Sequence, residues 1–238
     1  MKLIIDIGNT STKLALFDDK KAVKFSEIGE CKLREIQDFV GEVVIISSII
    51  SSVKEMNSEI LKVSSYFNAS IFSEKTNVPI INKYKTPNTL GKDRLAAVVG
   101  AAFLFPKKDV LVFDAGTCLT IDFVNARKEY LGGRISLGIE MRYKALNTFT
   151  DKLPLVQKEN ISTIMGDDTN SSIVSGVQQG ILAEVKSIIS DYKSKNCDII
   201  TVVTGGDCVF FEKALKNSIF ANPNLVLVGL NEILDYNE

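Results

Sequence analysis

Two stretches of this chain follow one plan, and that repetition limits the folds open to it. Residues 3–18 read Leu3-Ile4-Ile5-Asp6-Ile7-Gly8-Asn9-Thr10-Ser11-Thr12-Lys13-Leu14-Ala15-Leu16-Phe17-Asp18, and residues 110–124 read Val110-Leu111-Val112-Phe113-Asp114-Ala115-Gly116-Thr117-Cys118-Leu119-Thr120-Ile121-Asp122-Phe123-Val124. Each is an apolar run, an Asp, an apolar residue, a Gly, a hydroxyl-bearing turn and a second apolar run. Ile, Leu, Val and Phe in such short runs read as buried strands. Gly8 and Gly116 allow a tight turn and close approach of backbone to a ligand. The pattern predicts two glycine-tipped hairpins, each with an Asp at a strand end, and so a structural duplication.

The rest of the chain supports two α/β halves. A third strand over Lys21–Ser26, a helix over Lys32–Phe39, a buried strand over Val43–Ser47, a helix over Lys54–Tyr66 and a short strand near Ile71 are expected in the first half. Residues 73–91 are polar and contain Pro79 and Pro87, so they read as loop; an Ala-rich helix follows over Lys92–Phe105. The second half starts over at Asp109. Strands are expected at Val110–Phe113, Leu119–Val124, Glu129–Ile135, Ile199–Val203 and Leu225–Val228. Helices are expected over Ile139–Phe149, Asn170–Lys193 and Val209–Lys216, with a terminal helix. Alternation of this kind implies partly parallel sheets covered by helices. At 238 residues the chain has room for two small domains, read here as 1–108 and 109–238.

Composition removes several function classes. There is no histidine, so a Ser-His-Asp triad and a His-ligated metal are excluded, and any general base is Asp, Glu, Lys, Tyr or Cys. The net charge of −1 gives no basic surface for nucleic acid or an anionic membrane. No apolar run approaches the roughly 20 residues of a membrane span, and no signal-peptide pattern opens the chain. Cys31, Cys118, Cys197 and Cys208 are scattered without CxxC spacing, which speaks against zinc and fits a reducing cytosol. What remains open is carboxylate-plus-Mg²⁺ chemistry. Asp6 and Asp114 suit a hydrated cation, and the turn hydroxyls and N–H groups suit phosphate oxygens.

Paired Asp-x-Gly hairpins resemble those of actin-like ATPases and sugar kinases. The segment Tyr84-Lys85-Thr86-Pro87-Asn88-Thr89-Leu90-Gly91-Lys92-Asp93-Arg94 narrows this, because it is similar to the substrate loop of the type III pantothenate kinases. The family's other marks follow in order over the whole chain: Asp6–Lys13, Asp114–Thr117, Leu131–Gly138, and Gly166-Asp167-Asp168-Thr169 before a helix. The resemblance implies two ribonuclease H-like domains, each a mixed five-stranded sheet flanked by helices. It implies transfer of a phosphoryl group from ATP to pantothenate, giving 4′-phosphopantothenate, the first step towards coenzyme A, and no feedback by coenzyme A. It also implies a cytoplasmic homodimer that needs Mg²⁺ and a monovalent cation, K⁺ or NH₄⁺, with no nucleic-acid or membrane partner.

Carried over residue by residue, Asp6, Ile7, Gly8, Asn9, Thr10, Ser11, Thr12 and Lys13 would contact ATP phosphates, with Asp6 near Mg²⁺, and Thr117 would touch ATP. Tyr84, Gly91, Lys92, Asp93, Arg94 and Thr169 would contact pantothenate. Asp93 would accept the proton, and Asp114 would bind the monovalent cation. The residues themselves leave alternatives. Asp93 also suits a helix N-terminus. Arg94 would either clamp a carboxylate or pair with Asp93 or a nearby Glu. Thr169 also suits a helix cap, Asp122 reads as supporting or exposed, and Gly205-Gly206 reads as an adenine-facing or a tight strand-to-helix turn. One departure stands out: Leu137-Gly138 occupies a place where many family members have Pro-Gly. Two other readings share the fold, a kinase for another small hydroxyl or acyl substrate and a non-catalytic regulator or filament protein.

Overall fold

The computed structural model describes residues 1–159, 164–216 and 218–238. Its contacts divide the chain into two units, one of residues 1–108, 122–132 and 224–238, the other of residues 109–121 and 133–223. The first break falls after Lys108, and two later segments belong with the N-terminal unit.

In the first unit, β1 (Lys2–Ile7), β2 (Thr12–Asp18) and β3 (Lys21–Ile28) form an antiparallel meander. Then come α1 (Leu33–Val40), β4 (Ser47–Ser52), α2 (Ser58–Phe67) and β5 (Ser70–Ile71). The sheet order is β3-β2-β1-β4-β5, with β4 parallel to β1. One face carries Leu3, Ile5, Ile7, Leu14, Leu16 and Ile50, packed with Ile36 of α1 and Ile60 and Val63 of α2. Strand side chains alternate, so Ile4, Ala15 and Ile49, all buried, lie on the other face. That face is covered by α3 (Lys92–Leu104) and by α7 (Leu225–Tyr236). Lys2, on the same face as Ile4, pairs with Asp235 of α7, and Lys20 reaches both Glu232 and Asp235. The two helices cross at Gly100 and Gly229, where backbone passes so closely that no side chain fits.

The second sheet has the order β11-β10-β7-β8-β9-β6. Its strands are β6 (Ile81–Asn82), β7 (Val110–Ala115), β8 (Cys118–Val124), β9 (Glu129–Leu137), β10 (Ile200–Thr204) and β11 (Phe220–Ala221). β7 to β10 are four of the five strands expected of the second half; β11 was not expected, and the two-residue β6 joins β9 as a sixth strand. β10 is parallel to β7 and β11. The helices are α4 (Ile139–Thr148), α5 (Thr169–Lys195) and α6 (Cys208–Leu215). Among the described residues, no helix is long and apolar enough to cross a membrane.

Three expected elements are corrected. The strand read at Val43–Ser47 lies at Ser47–Ser52; Val44 and Ile46 are exposed, and the parallel register with β1 runs from Lys2↔Ser47 to Ile7↔Ser52. Pairing with β1 along the whole of β4 overrides the weak strand preference of serine. The helix read from Lys54 begins at Ser58, where the Asn57 side chain accepts the Ile60 N–H at 3.0 Å and caps the first turn. The strand read at Leu225–Val228 is the start of α7; Leu225, Leu227 and Leu230 are buried, and a four-residue apolar run cannot by itself distinguish strand from buried helix.

Candidate active site

The first hairpin places Asp6 at the carboxyl end of β1, where open α/β sheets bind ligands. Its turn is closed by the Gly8 N–H donating to the Ser11 carbonyl at 2.9 Å, leaving Asn9 and Thr10 exposed. Asp6 aligns with Lys13 on β2 and Ser51 on β4, and Lys13 aligns with Glu27 on β3. Directly paired residues share a face, so one polar row, Ser51-Asp6-Lys13-Glu27, crosses four strands. Ile7 and Thr12 pair on the opposite face, with the core, so the structure does not bring their side chains to Asp6. The Ser11 hydroxyl donates to Glu27 at 2.5 Å.

Ser51 and Glu27 were not singled out from sequence. Ser51 is fully buried, and its hydroxyl has no hydrogen-bond partner among the described residues. Burying such a group unpaired costs about 1–3 kcal/mol. Its retention beside the mostly buried Asp6 fits a hydrated cation or a phosphate oxygen that completes the bond. Among the described residues no three His, Cys, Asp or Glu gather to cage a metal. This donor set fits Mg²⁺, which takes one or two carboxylates and keeps water or phosphate for the rest.

The second hairpin ends β7 at Asp114, paired in register with Thr204 of β10. Gly205 has φ +88°, and a Cβ there would lie 2.5 Å from both Asp114 Oδ1 and the Ala115 carbonyl oxygen. Glycine is therefore required where this turn meets the Asp114 carboxylate, and the carboxylate and carbonyl oxygens gathered there suit a monovalent cation. A Cβ on Gly206 would meet nothing within 4 Å. Gly138 donates to the Thr117 carbonyl at 3.2 Å, and a Cβ on it would fall 2.2 Å from the Gly116 carbonyl oxygen. The Leu137-Gly138 pair thus keeps the glycine that packs against the Gly116-Thr117 turn.

The segment Tyr84–Arg94 ends in the start of α3. Gly91 is its N-cap, Asp93 sits in the first turn, half-buried, and Asp93 Oδ1 accepts the Arg94 N–H at 2.8 Å. A Cβ on Gly91 would lie 2.6 Å from Asp93 Oδ1, so glycine leaves that carboxylate its space. Lys92 is likewise half-buried. Arg94 is 5 % exposed and pairs with Asp122, neither of the partners read from sequence: Nη2 donates to Oδ1 at 2.6 Å and Nε to Oδ2 at 3.1 Å. Asp122 is 1 % exposed, so of its two readings, supporting or exposed, the burial fits the supporting one. Tyr130 donates its hydroxyl to Asp122 Oδ1 at 2.7 Å and stacks on Tyr84, ring centroids 5.9 Å apart at 17°. Burial alone would lower the Arg94 pKa, but the bond and charge of Asp122 outweigh it and raise it. Burial and the Asp122 charge both push the Tyr130 phenol up, so it stays a donor.

Thr169 is the first residue of α5. The cap is Asp168, whose side chain accepts the Ser171 N–H at 2.7 Å in a capping box. Thr169 is exposed and lines a cleft of about 880 Å³ with Leu137, Leu146, Leu153 and Ile173.

The profile of the type III pantothenate kinases matches residues 2–191. A type III pantothenate kinase from Bacteroides fragilis is 43 % identical over 239 residues, covering 100 % of this chain and 98 % of that protein. The chain belongs to the type III pantothenate kinases. Another member, from Cytophaga hutchinsonii, is 40 % identical and covered, like this chain, over 100 % of its length. Solved structures support the fold of this pantothenate kinase. A Campylobacter jejuni protein described as a Baf family transcriptional activator superposes with a TM-score of 0.65 at 23 % identity, over 99 % of this chain and 98 % of that one. The inorganic polyphosphate/ATP-glucomannokinase of an Arthrobacter species gives 0.52 at 12 % identity over 100 % of both chains. The two-sheet architecture is that of actin-like ATPases and sugar kinases.

Proposed function

We propose that this pantothenate kinase transfers the γ-phosphoryl group of ATP to the primary hydroxyl of pantothenate, giving 4′-phosphopantothenate and ADP. The observation that carries the reading is Asp93. It lies in the first turn of α3, with its carboxylate against Gly91 and the fixed guanidinium of Arg94 next to it in sequence. Phosphoryl transfer needs in-line positioning and charge neutralisation more than covalent help. Asp93 accepts the hydroxyl proton as the oxygen forms its bond to the γ-phosphorus, and the bond from that phosphorus to the bridging oxygen of ADP breaks. Lys13 brings a compact positive charge to the phosphates, and Gly8 to Thr12 present turn N–H groups. Asp6, with Ser51 beside it, would hold Mg²⁺, whose charge offsets that of the phosphate oxygens. Asp114 would hold K⁺ or NH₄⁺, and Thr117 would touch ATP.

A cytoplasmic homodimer is part of the same reading. The cleft beside Thr169 has an apolar wall, and Phe149, Ile164 and Met165 are exposed near it in sequence, a surface suited to a second copy. ADP release coupled to a spectroscopic readout, with Mg²⁺ and K⁺ or NH₄⁺ present, tests the activity. Pantothenate-dependent turnover is expected; its absence overturns the reading. Asp93→Asn is expected to lose turnover by about 10²–10⁴-fold while still folding, and near-normal turnover removes Asp93 as the base.

A further inference from the structure

We infer that Asp122 and Tyr130, which have no assigned part in the reaction, are positioning residues for the pantothenate side of the site. Three contacts converge on them. The Asp122 carboxylate takes the Nε and Nη2 edge of Arg94, at 3.1 and 2.6 Å. The Tyr130 hydroxyl donates to the same carboxylate, at 2.7 Å. The Tyr130 ring carries Tyr84, which also lies beneath the Arg94 guanidinium, 5.7 Å from ring centroid to Cζ.

The chain order shows why these groups meet. β6 pairs with β9 at Ile81↔Glu129 and Asn82↔Tyr130, and the Lys83 N–H donates to the Tyr130 carbonyl at 2.9 Å. Tyr84 therefore leaves β6 beside Tyr130. Gly132 turns there at φ +105°, a conformation that favours glycine, with the Tyr84 ring at ordinary contact distance. One carboxylate–phenol pair thus sets both ends of the acceptor loop, Tyr84 at its start and Arg94 at its close, with Asp93 adjacent.

The burial makes the arrangement stiff. Asp122 and Tyr130 are 1 % and 0 % exposed; a buried ion pair that is fully hydrogen-bonded adds little net stability over an apolar pair of the same size but holds one geometry. It also constrains how Arg94 meets the substrate. With its Nε–Nη2 edge held by Asp122, the guanidinium keeps only its Nη1–Nη2 edge for a second carboxylate, and pantothenate meets a pre-aimed charge.

The inference rests on the reading of Tyr84–Arg94 as the acceptor loop, so wild-type turnover with pantothenate is measured first; its absence would refute that reading and not this one. Tyr130→Phe keeps the ring stack and removes only the hydroxyl. It is expected to raise KM for pantothenate about 10-fold or more, the effect of one hydrogen bond to a charged group, with KM for ATP within about 2-fold. Asp122→Asn removes the charge and is expected to lower kcat/KM for pantothenate by about 10²-fold. Arg94→Lys retains charge without the fork and is expected to fail to restore activity. A purely structural role would lower the unfolding midpoint and move both substrate constants together. That result, or unchanged pantothenate kinetics in folded Tyr130→Phe, overturns the inference. If Asp122→Asn does not fold, Tyr130→Phe decides alone.

Discussion

Gly229→Ala is a test of the α3–α7 crossing, with two opposing effects of known sign. In an exposed helix interior, exchanging Gly for Ala stabilises by roughly 1 kcal/mol through backbone entropy. Here the new Cβ would stand 1.8 Å from the Ala96 carbonyl oxygen, 2.7 Å from the Ala96 carbonyl carbon and 2.9 Å from the Gly100 nitrogen. All three are backbone atoms of α3, so no side chain can swing away. Ordinary contact begins near 3.4 Å, and the helices must part by about 1.6 Å. Overpacking of this kind costs about 1–3 kcal/mol or more, and parting the helices also loosens Leu225, Leu230 and Ile233, each stabilising by about 1.5–3 kcal/mol when buried. The clash wins, and a net loss of about 2 kcal/mol or more is expected. Because α3 begins with Lys92-Asp93-Arg94, a shift near 1 Å there is expected to reduce kcat/KM by about 10²-fold as well. Urea unfolding and steady-state kinetics, run beside Gly180→Ala, read both effects. At Gly180 a Cβ meets nothing within 4 Å, so that control gains stability and keeps activity. A Gly229→Ala protein as stable and active as wild type would refute the packing argument.

The clamp between the two ends of the first unit is expected to be acid-sensitive. Burial would push the Asp235 pKa up, but the bonds from Lys2 and Lys20 outweigh it and hold it below the usual carboxylate range. A depressed carboxylate adds stability above its unfolded pKa of about 3.9, and that stability is lost as pH falls through the folded value. Asp235→Asn, which leaves the buried Lys2 without its main partner, is expected to cost about 3 kcal/mol near pH 7. Thermal unfolding should show the gap from wild type closing below about pH 4; a gap unchanged at pH 3 argues against the clamp. Asp114→Asn is expected to flatten the dependence of rate on K⁺ or NH₄⁺ while leaving KM for pantothenate within about 2-fold; an unchanged cation titration would remove Asp114 from that role.

Local signals carried much of this fold. β1, β2, β7 and β8 declare themselves because their apolar runs flank Gly turns, and α3 ends before Pro106 as its composition indicates. β4 is hidden because its outer residues are serines, made strand only by β1 beside them. α7 opens on Leu-Val-Leu-Val, whose burial against α3 no local pattern contains. At the site, Asp6, Lys13 and Asp93 are visible as motif residues, whereas Asp122 depends on Arg94, 28 residues earlier. A signal for Asp122 did exist: a carboxylate within the apolar run Leu119–Val124 must be paired if the strand is buried. Tyr130 offered none, since an aromatic residue in a strand is ordinary. Ser51 likewise gains meaning only from the register that sets it beside Asp6.

The placement of α7 bears on how the protein is made. The sheet face holding Ile4, Ala15 and Ile49 is covered in part by residues 225–236, yet its strands come from residues 2–52. On the ribosome the N-terminal unit therefore waits, one apolar face covered only by α3, through synthesis of the whole second unit. The usual order, in which the N-terminal domain completes first, is inverted: residues 109–121 and 133–223 are all in hand before the helix that closes the first unit exists.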